Sequence, residues 1–151
     1  MSNTTSVLFV CTGNTCRSPM AAAYFKQACA ERGVKDVEVS AAGVSTDDKT
    51  PLSPQTRTVL KEQGLVPQRI ASCGLRKWMV SNADIIVVMN EGHRRSIVSH
   101  YPFAAAKTML LLSLIDQPGP VPDPYGGTVE EYRKCLERMK PALNALANRL
   151  A

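Results

Sequence analysis

Cys11 and Arg17 bracket five residues, Thr12-Gly13-Asn14-Thr15-Cys16, and Ser18 follows directly. A thiol set beside a guanidinium at a helix N-terminus is equipped for covalent chemistry on an anion. Both partners favour the thiolate, so the Cys11 pKa is expected to fall to ~4–6 against ~8.5 for a free thiol. A thiolate there is a nucleophile that needs no base of its own. Arg17 offers a planar fork to two oxygens of a phosphate-like dianion. Ser18 can either cap the helix or give its hydroxyl to the thiolate. The plainer reading is a buried structural cysteine in a tight turn with Arg17 on the surface. That would be preferred for a lone cysteine; the full pattern of Cys, five residues, Arg and Ser favours catalysis. The loop lacks the Gly-Lys-Ser/Thr ending of a Walker motif.

The flanking residues supply the frame such chemistry requires. Val7-Leu8-Phe9-Val10 is a short apolar run bounded by turn chemistry, which reads as a buried strand. Ser18-Pro19 reads as an N-cap and N1 pair, Met20 to Arg32 as an amphipathic helix, and Gly33 as its C′ residue. The order strand, polar loop, helix places unpaired N–H groups and the positive end of a dipole at the loop. Gly13 and Asn14 are the residues expected to take positive φ there.

Further along, Val37 to Ala41 alternates as a second strand, and Gly43 to Thr50 is a polar loop. Ser53-Pro54 opens a helix to about Gln63, with Gly64 behind it. Leu75 to Val80 reads as a short helix, Ile85 to Met89 as a strand covered on both faces, and Glu91 to Ser99 as a helix. Thr108 to Leu111 is a fourth strand, with helix as the alternative. Asp116 to Gly127 holds four prolines and three glycines and reads as loop. From Thr128 onward Val129, Tyr132, Leu136, Met139, Leu143, Leu146 and Leu150 form one helical stripe, which Pro141 should kink or split near Glu137. Strands alternating with helices argue an α/β fold, a doubly wound parallel sheet with helices on both faces and the active loop at the carboxyl end of the first strand.

At 151 residues and 44% hydrophobic, the chain suits one soluble globular domain spanning 1–151. No apolar run reaches the length of a membrane span, and the polar start, Met1 to Ser6, lacks the regions of a signal peptide. The five cysteines form no metal-ligand cluster, so neither a metal nor a cofactor is expected. A reactive thiol requires reduction, which points to the cytoplasm. The net charge of +5 comes without basic blocks and with only one Trp, four Tyr and three Phe. An acidic or phosphorylated substrate explains that balance better than nucleic acid. Cys29, Cys73 and Cys135 read as structural, and His93 and His100 as surface or core residues.

The run VCTGNTCRSP resembles the signature of the low-molecular-weight protein-tyrosine phosphatases, and Asp123-Pro124-Tyr125 resembles its second half. The resemblance extends over essentially the whole chain. It implies a four-stranded sheet in the order 2-1-3-4. It implies that Cys11 attacks phosphorus to form a cysteinyl-phosphate, and that Arg17 and the loop from Thr12 through Gly13, Asn14, Thr15 and Cys16 to Ser18 hold the phosphoryl oxygens. Asp123 is then the general acid of the first step and the base of the second; without the upstream motif it would read as a turn residue. Cys16 alone is a small residue filling the loop. The resemblance adds a redox role, a reversible disulfide with Cys11 that a cellular thiol reductant would open.

Phosphorylated proteins are the implied partners, and a monomer the expected state. Tyr125 supplies one aromatic wall of a substrate slot. The loop from Gly43 to Thr50 offers no second aromatic and carries Asp47 and Asp48 instead. Thr15 stands where tyrosine-directed members commonly have a branched aliphatic residue; the plainer reading is that it packs against the loop. CTGNTCRSP and Tyr125-Gly126-Gly127 most closely resemble the protein-arginine phosphatase branch. A hydroxyl from Thr15 and carboxylates from Asp47 and Asp48 suit the planar, cationic side of phosphoarginine. Phosphoarginine is therefore favoured over phosphotyrosine. A thiol-coupled arsenate reductase would need cysteines after the third strand, where Met89 to Ser96 has none. A non-enzymatic phosphoprotein-binding module would be suggested by loss of Cys11, Arg17 or Asp123, and all three are present.

Overall fold

The computed structural model describes residues 4–117 and 119–151. The start of the chain, 1–3, and Pro118 of the proline-rich loop lie outside the described residues. Four parallel strands, β1 (Thr5–Cys11), β2 (Val37–Gly43), β3 (Ile85–Val88) and β4 (Thr108–Leu110), form one sheet in the order β2-β1-β3-β4. The helices are α1 (Arg17–Glu31), α2 (Pro54–Glu62), α3 (Lys77–Asn82), α4 (Glu91–His100) and α5 (Val129–Leu150). The expected α/β architecture and strand order are both present.

β1 lies inside the sheet, so both its faces are covered. Alternate side chains point to opposite sides. Val7, Phe9 and Cys11 enter the core shared with α1 and α5, which supply Met20, Phe25, Leu136, Met139 and Leu143. Leu8 and Val10 enter a second core with Met79 and Val80 of α3 and Ile97 of α4. Phe9 meets Phe25 edge to face at 5.4 Å between ring centroids. Truncating such a buried aromatic costs ~3–5 kcal/mol, so the strand that ends in Cys11 is anchored from both sides.

Three local expectations are corrected. Helix α1 begins at Arg17, two residues before Pro19, with Cys16 as its N-cap and no side-chain cap. Pro19 falls within the first turn, where its missing N–H costs nothing. The extended segment before α3 displaces that helix from Leu75–Val80 to Lys77–Asn82, because Gly43 and Leu75 N–H groups pair with Cys73 and Gly43 carbonyls. Helix α5 runs unbroken through Pro141. Core packing holds its two halves, and Asn144 and Asn148 beyond the proline accept hydrogen bonds from Tyr24 and Arg32 of the first helical arm at 2.9 and 2.7 Å. Tertiary contacts thus outweigh the ~3 kcal/mol a helical proline costs.

Candidate active site

The loop between β1 and α1 curls at the carboxyl edge of the sheet. Its one left-handed residue is Asn14, at φ 58°; Gly13 does not share that conformation, contrary to expectation. The side chain of Asn14 explains the cost it bears. Its Oδ1 accepts the N–H of Cys73 at 2.8 Å, which fixes the amide orientation, and its Nδ2 then donates to Ser18 Oγ at 2.8 Å. With that oxygen already accepting, the Ser18 proton is free to point at Cys11 Sγ, 2.9 Å away; the Ala42 carbonyl is more distant at 3.5 Å. Ser18 therefore serves the thiol and does not cap the helix. Gly43 at the end of β2 lets the loop settle, because a Cβ there would lie 2.6 Å from the Thr12 carbonyl oxygen.

Cys11 is only 2% exposed. Burial pushes its thiol up from the ordinary value, against the downward pull of the Ser18 hydroxyl, the Ser18 N–H, Arg17 and the Asn14 N–H. The expected depression to ~4–6 is thus reversed in direction: desolvation outweighs the donors around the sulfur. The donors remain in place for the moment the sulfur becomes charged.

Arg17 is buried at the opposite side of the loop. Its Nη1 donates to the Val121 carbonyl at 3.0 Å, and its Nη2 lies 3.4 Å from Thr12 Oγ1 and 3.5 Å from Asp123 Oδ2. Its buried Nε has no hydrogen-bond partner in the protein among the described residues. A guanidinium with an idle edge at a helix N-terminus is a ready seat for two anionic oxygens. Asp123 is about half exposed, and its Oδ1 accepts the Tyr125 N–H at 3.1 Å, so the Pro-rich loop folds over the cradle with its carboxylate beside Arg17.

These residues line a cavity of about 660 Å³. Of the residues singled out by sequence, Cys11, Thr12, Gly13, Thr15, Cys16, Arg17, Asp47, Asp123 and Tyr125 line it. Asn14 and Ser18 stand behind the loop and support it. Thr15 is pinned through its carbonyl, which accepts from the Ser53 N–H at 3.2 Å and the Thr56 hydroxyl at 2.8 Å, and the residue lines the cavity. The Cys16 sulfur is surrounded by the hydroxyls of Ser53 at 3.2 Å, Tyr132 at 3.3 Å and Thr15 at 3.5 Å. Burial and the Cys16 contact push the Tyr132 phenol up to about 12, so it stays a neutral donor.

Asp48 does not line the cavity. It adopts φ 69°, accepts the Gly74 N–H and pairs with Arg76 at 2.7 Å, which turns it to the far side of the loop. Asp47 does face the cavity. Its Oδ1 takes the Thr50 hydroxyl at 2.7 Å and the N–H groups of Lys49 and Thr50 at 3.0 Å. The Thr50 hydroxyl bond, first among these, holds its carboxyl below the usual range, so it presents a negative charge.

The sequence reading missed His93. It is 4% exposed, and its Nε2 lies 2.8 Å from Thr12 Oγ1. The available signal was positional: β3 is a buried parallel strand, and the helix after it must begin at the same carboxyl edge as the Cys11 loop. His100, by contrast, bonds its own helix, through Ser96 O.

Comparison with known proteins shows which family and fold the chain shares. Residues 6–151 match the family described as low molecular weight phosphotyrosine protein phosphatase. A protein-arginine-phosphatase of Geobacillus stearothermophilus is 37% identical over 145 residues, covering 95% of each chain. A YwlE arginine phosphatase mutant with a phosphorylated active-site serine superposes with a TM-score of 0.90 at 31% identity, covering 96% of this chain and 95% of that one. A low molecular weight protein tyrosine phosphatase of T. tengcongensis also superposes with a TM-score of 0.90, at 37% identity over 97% of this chain and 99% of that one.

Proposed function

The chain belongs to the low molecular weight phosphotyrosine protein phosphatase family, whose members are cysteine-dependent hydrolases, and from that premise we propose that it dephosphorylates phosphoarginine side chains of proteins. The observation that carries the reading is the pocket wall. Where an aryl ring would want a second apolar face, the lining of this pocket supplies, besides Tyr125, the charged Asp47 and the hydroxyl-bearing Thr15. A planar cationic guanidinium between an aromatic face and a carboxylate is a favourable pairing.

Catalysis proceeds in two displacements. As the substrate seats, its phosphoryl dianion takes the proton that burial keeps on Cys11, leaving a thiolate and a monoanion at unchanged total charge. Sγ attacks phosphorus, the P–N bond breaks, and Asp123, which enters this step as the carboxylic acid, gives its proton to the departing guanidine nitrogen and becomes the carboxylate. The Nε and Nη2 edge of Arg17, with the loop N–H groups, holds the equatorial oxygens as charge spreads. Asp123 then takes a proton from water, whose oxygen attacks phosphorus; the P–S bond breaks, the phosphate returns to Cys11 Sγ the proton it took, and it leaves as the dianion. The related arginine phosphatase carrying a phosphorylated active-site serine supports transfer to the side chain at this position. Rapid-quench mass spectrometry with a phosphoarginine peptide should find one phosphoryl group on the peptide that contains Cys11. A phosphoryl group elsewhere, or turnover with none trapped under any quench, contradicts the pathway.

Residues 1–151 are read as one phosphatase domain, monomeric and cytoplasmic; among the described residues no helix is long and apolar enough to cross a membrane. Cys16 is read as the redox partner of Cys11. Peroxide oxidises the Cys11 thiolate to a sulfenic acid, the Cys16 thiol displaces water to form the disulfide, and a cellular thiol reductant reopens it. Phosphotyrosine is the second reading, favoured by Tyr125, an aromatic side chain 75% exposed at the pocket mouth.

A further inference from the structure

His93 occupies the first turn of α4, where the Asn90 side chain accepts its N–H at 2.8 Å. Because β3 lies next to β1, that turn abuts the underside of the Cys11 loop. The imidazole does not line the pocket, so it does not touch substrate. Among the described residues its ring has one hydrogen-bond contact, with Thr12: Nε2 and the Thr12 hydroxyl are 2.8 Å apart. The same hydroxyl oxygen receives Arg17 Nη2 at 3.4 Å. An oxygen that accepts from Arg17 still has its own proton to give, and His93 Nε2 is the acceptor within reach. That arrangement assigns the proton of a neutral imidazole to Nδ1, which is buried with no hydrogen-bond partner among the described residues. Burial, and after it the Arg17 charge, lower the His93 pKa to about 4, against a weaker opposing effect of Asp123.

The guanidinium is therefore tethered at three points. Val121 O holds Nη1 at 3.0 Å, while Thr12 and Asp123 hold Nη2. The Asp123 tether belongs to a half-exposed side chain that must act on the leaving group, so Thr12 is the fixed point on that nitrogen. We propose that His93 is a positioning residue for the phosphatase reaction: through the Thr12 hydroxyl it sets the plane in which Arg17 presents its Nε and Nη2 edge to the phosphoryl oxygens. This rests on the phosphatase reading of the pocket for the identity of the anion. The plane matters most when three oxygens lie equatorial around five-coordinate phosphorus, so the contribution of His93 falls on the transition state more than on bound phosphate.

The test is calorimetric binding of orthovanadate, which adopts the five-coordinate shape, and of inorganic phosphate, which does not. Gln at position 93 keeps an acceptor near the Nε2 position, whereas Asn reaches only the Nδ1 position. His93→Asn and Thr12→Val should each weaken vanadate by about tenfold, the value of one net hydrogen bond. Phosphate should weaken by less than about threefold, and His93→Gln should stay within about threefold of the parent for both anions. The Thr12→Val/His93→Asn double variant should bind vanadate no more weakly than either single variant. Equal losses for Asn and Gln, equal losses for the two anions, or losses that multiply in the double variant would overturn the proposal. Should His93→Asn fail to fold in a thermal melt, the rim substitution Thr12→Val carries the test. Its vanadate loss must be the same with His or Gln at position 93, and a difference would overturn the relay. Binding needs no turnover, so failure of the phosphatase reading shows separately, as a parent that hydrolyses no nitrophenyl phosphate.

Discussion

The floor and the outer wall of the pocket are held in contrasting ways. On the floor, the backbone carbonyls of Cys11, Thr12 and Thr15 accept N–H groups of Val44, Ser45 and Ser53 at 3.0, 2.9 and 3.2 Å, and Asn14 is tied to Cys73. On the wall, Tyr125 is largely exposed, and Asp123 reaches Arg17 only at 3.5 Å. Chemistry on phosphorus tolerates little displacement of donors, and the floor is tied by backbone hydrogen bonds to the neighbouring segments. Discrimination between leaving groups falls to the loosely held side, where residues can change without disturbing the cradle. On the proposed reading the nucleophile and the phosphate cradle belong to the floor, while the acid Asp123 and the choice of substrate belong to the wall.

Substitutions on the floor should damage all substrates, and those on the wall should sort them. Cys11→Ser should lower kcat/KM by about 10⁴-fold or more on every phosphopeptide while binding persists, because the hydroxyl is a far weaker nucleophile. Steady-state assays with matched calorimetry check this, and ordinary turnover would remove the covalent mechanism. Asp123→Asn, on the wall but in the reaction, should cost roughly 10²–10⁴-fold with poor leaving groups and much less with nitrophenolate. A loss independent of the leaving group would reduce Asp123 to a shaper of its loop.

Thr15→Ile sits where floor meets wall. Phosphoarginine turnover should fall by roughly 10–150-fold, the value of one hydrogen bond to a charged group, while phosphotyrosine turnover holds or rises. Loss of both activities equally would make Thr15 a packing residue only. The smallest effect separates two neighbouring carboxylates. Asp47→Asn should lower phosphoarginine kcat/KM by about 2–5-fold, since it removes an exposed charge facing the pocket. Asp48→Asn should leave it within about twofold and lower Tm instead, because Asp48 serves Arg76 and Gly74. Matching activity losses at the two positions would erase the distinction between wall and support.

Legibility in the sequence follows the same division. The strand, loop and helix around Cys11 were readable because turn chemistry and apolar runs are local signals. The sheet order came through resemblance, and the structure has it. Asp48 was misplaced because its direction depends on Arg76 and Gly74, nearly thirty residues away in sequence. His93 was missed because only the adjacency of β3 to β1 brings it under Thr12. The direction of the Cys11 shift was misjudged for a related reason: the donors are local in sequence, while the burial that outweighs them is supplied by the whole core. Of the two outcomes expected at Pro141, a kink or a split, the split does not occur, because propensity is local and the packing that overrides it is not.

The most direct measurement of the central claim is kcat/KM of the parent enzyme on phosphoarginine and phosphotyrosine peptides of the same sequence, assayed side by side. A pocket lined by Asp47 and Thr15 as well as Tyr125 predicts the larger value for phosphoarginine, with Cys11→Ser inactive on both. A parent that turns over phosphotyrosine and ignores phosphoarginine would contradict the account, and the tyrosine-directed reading would take its place.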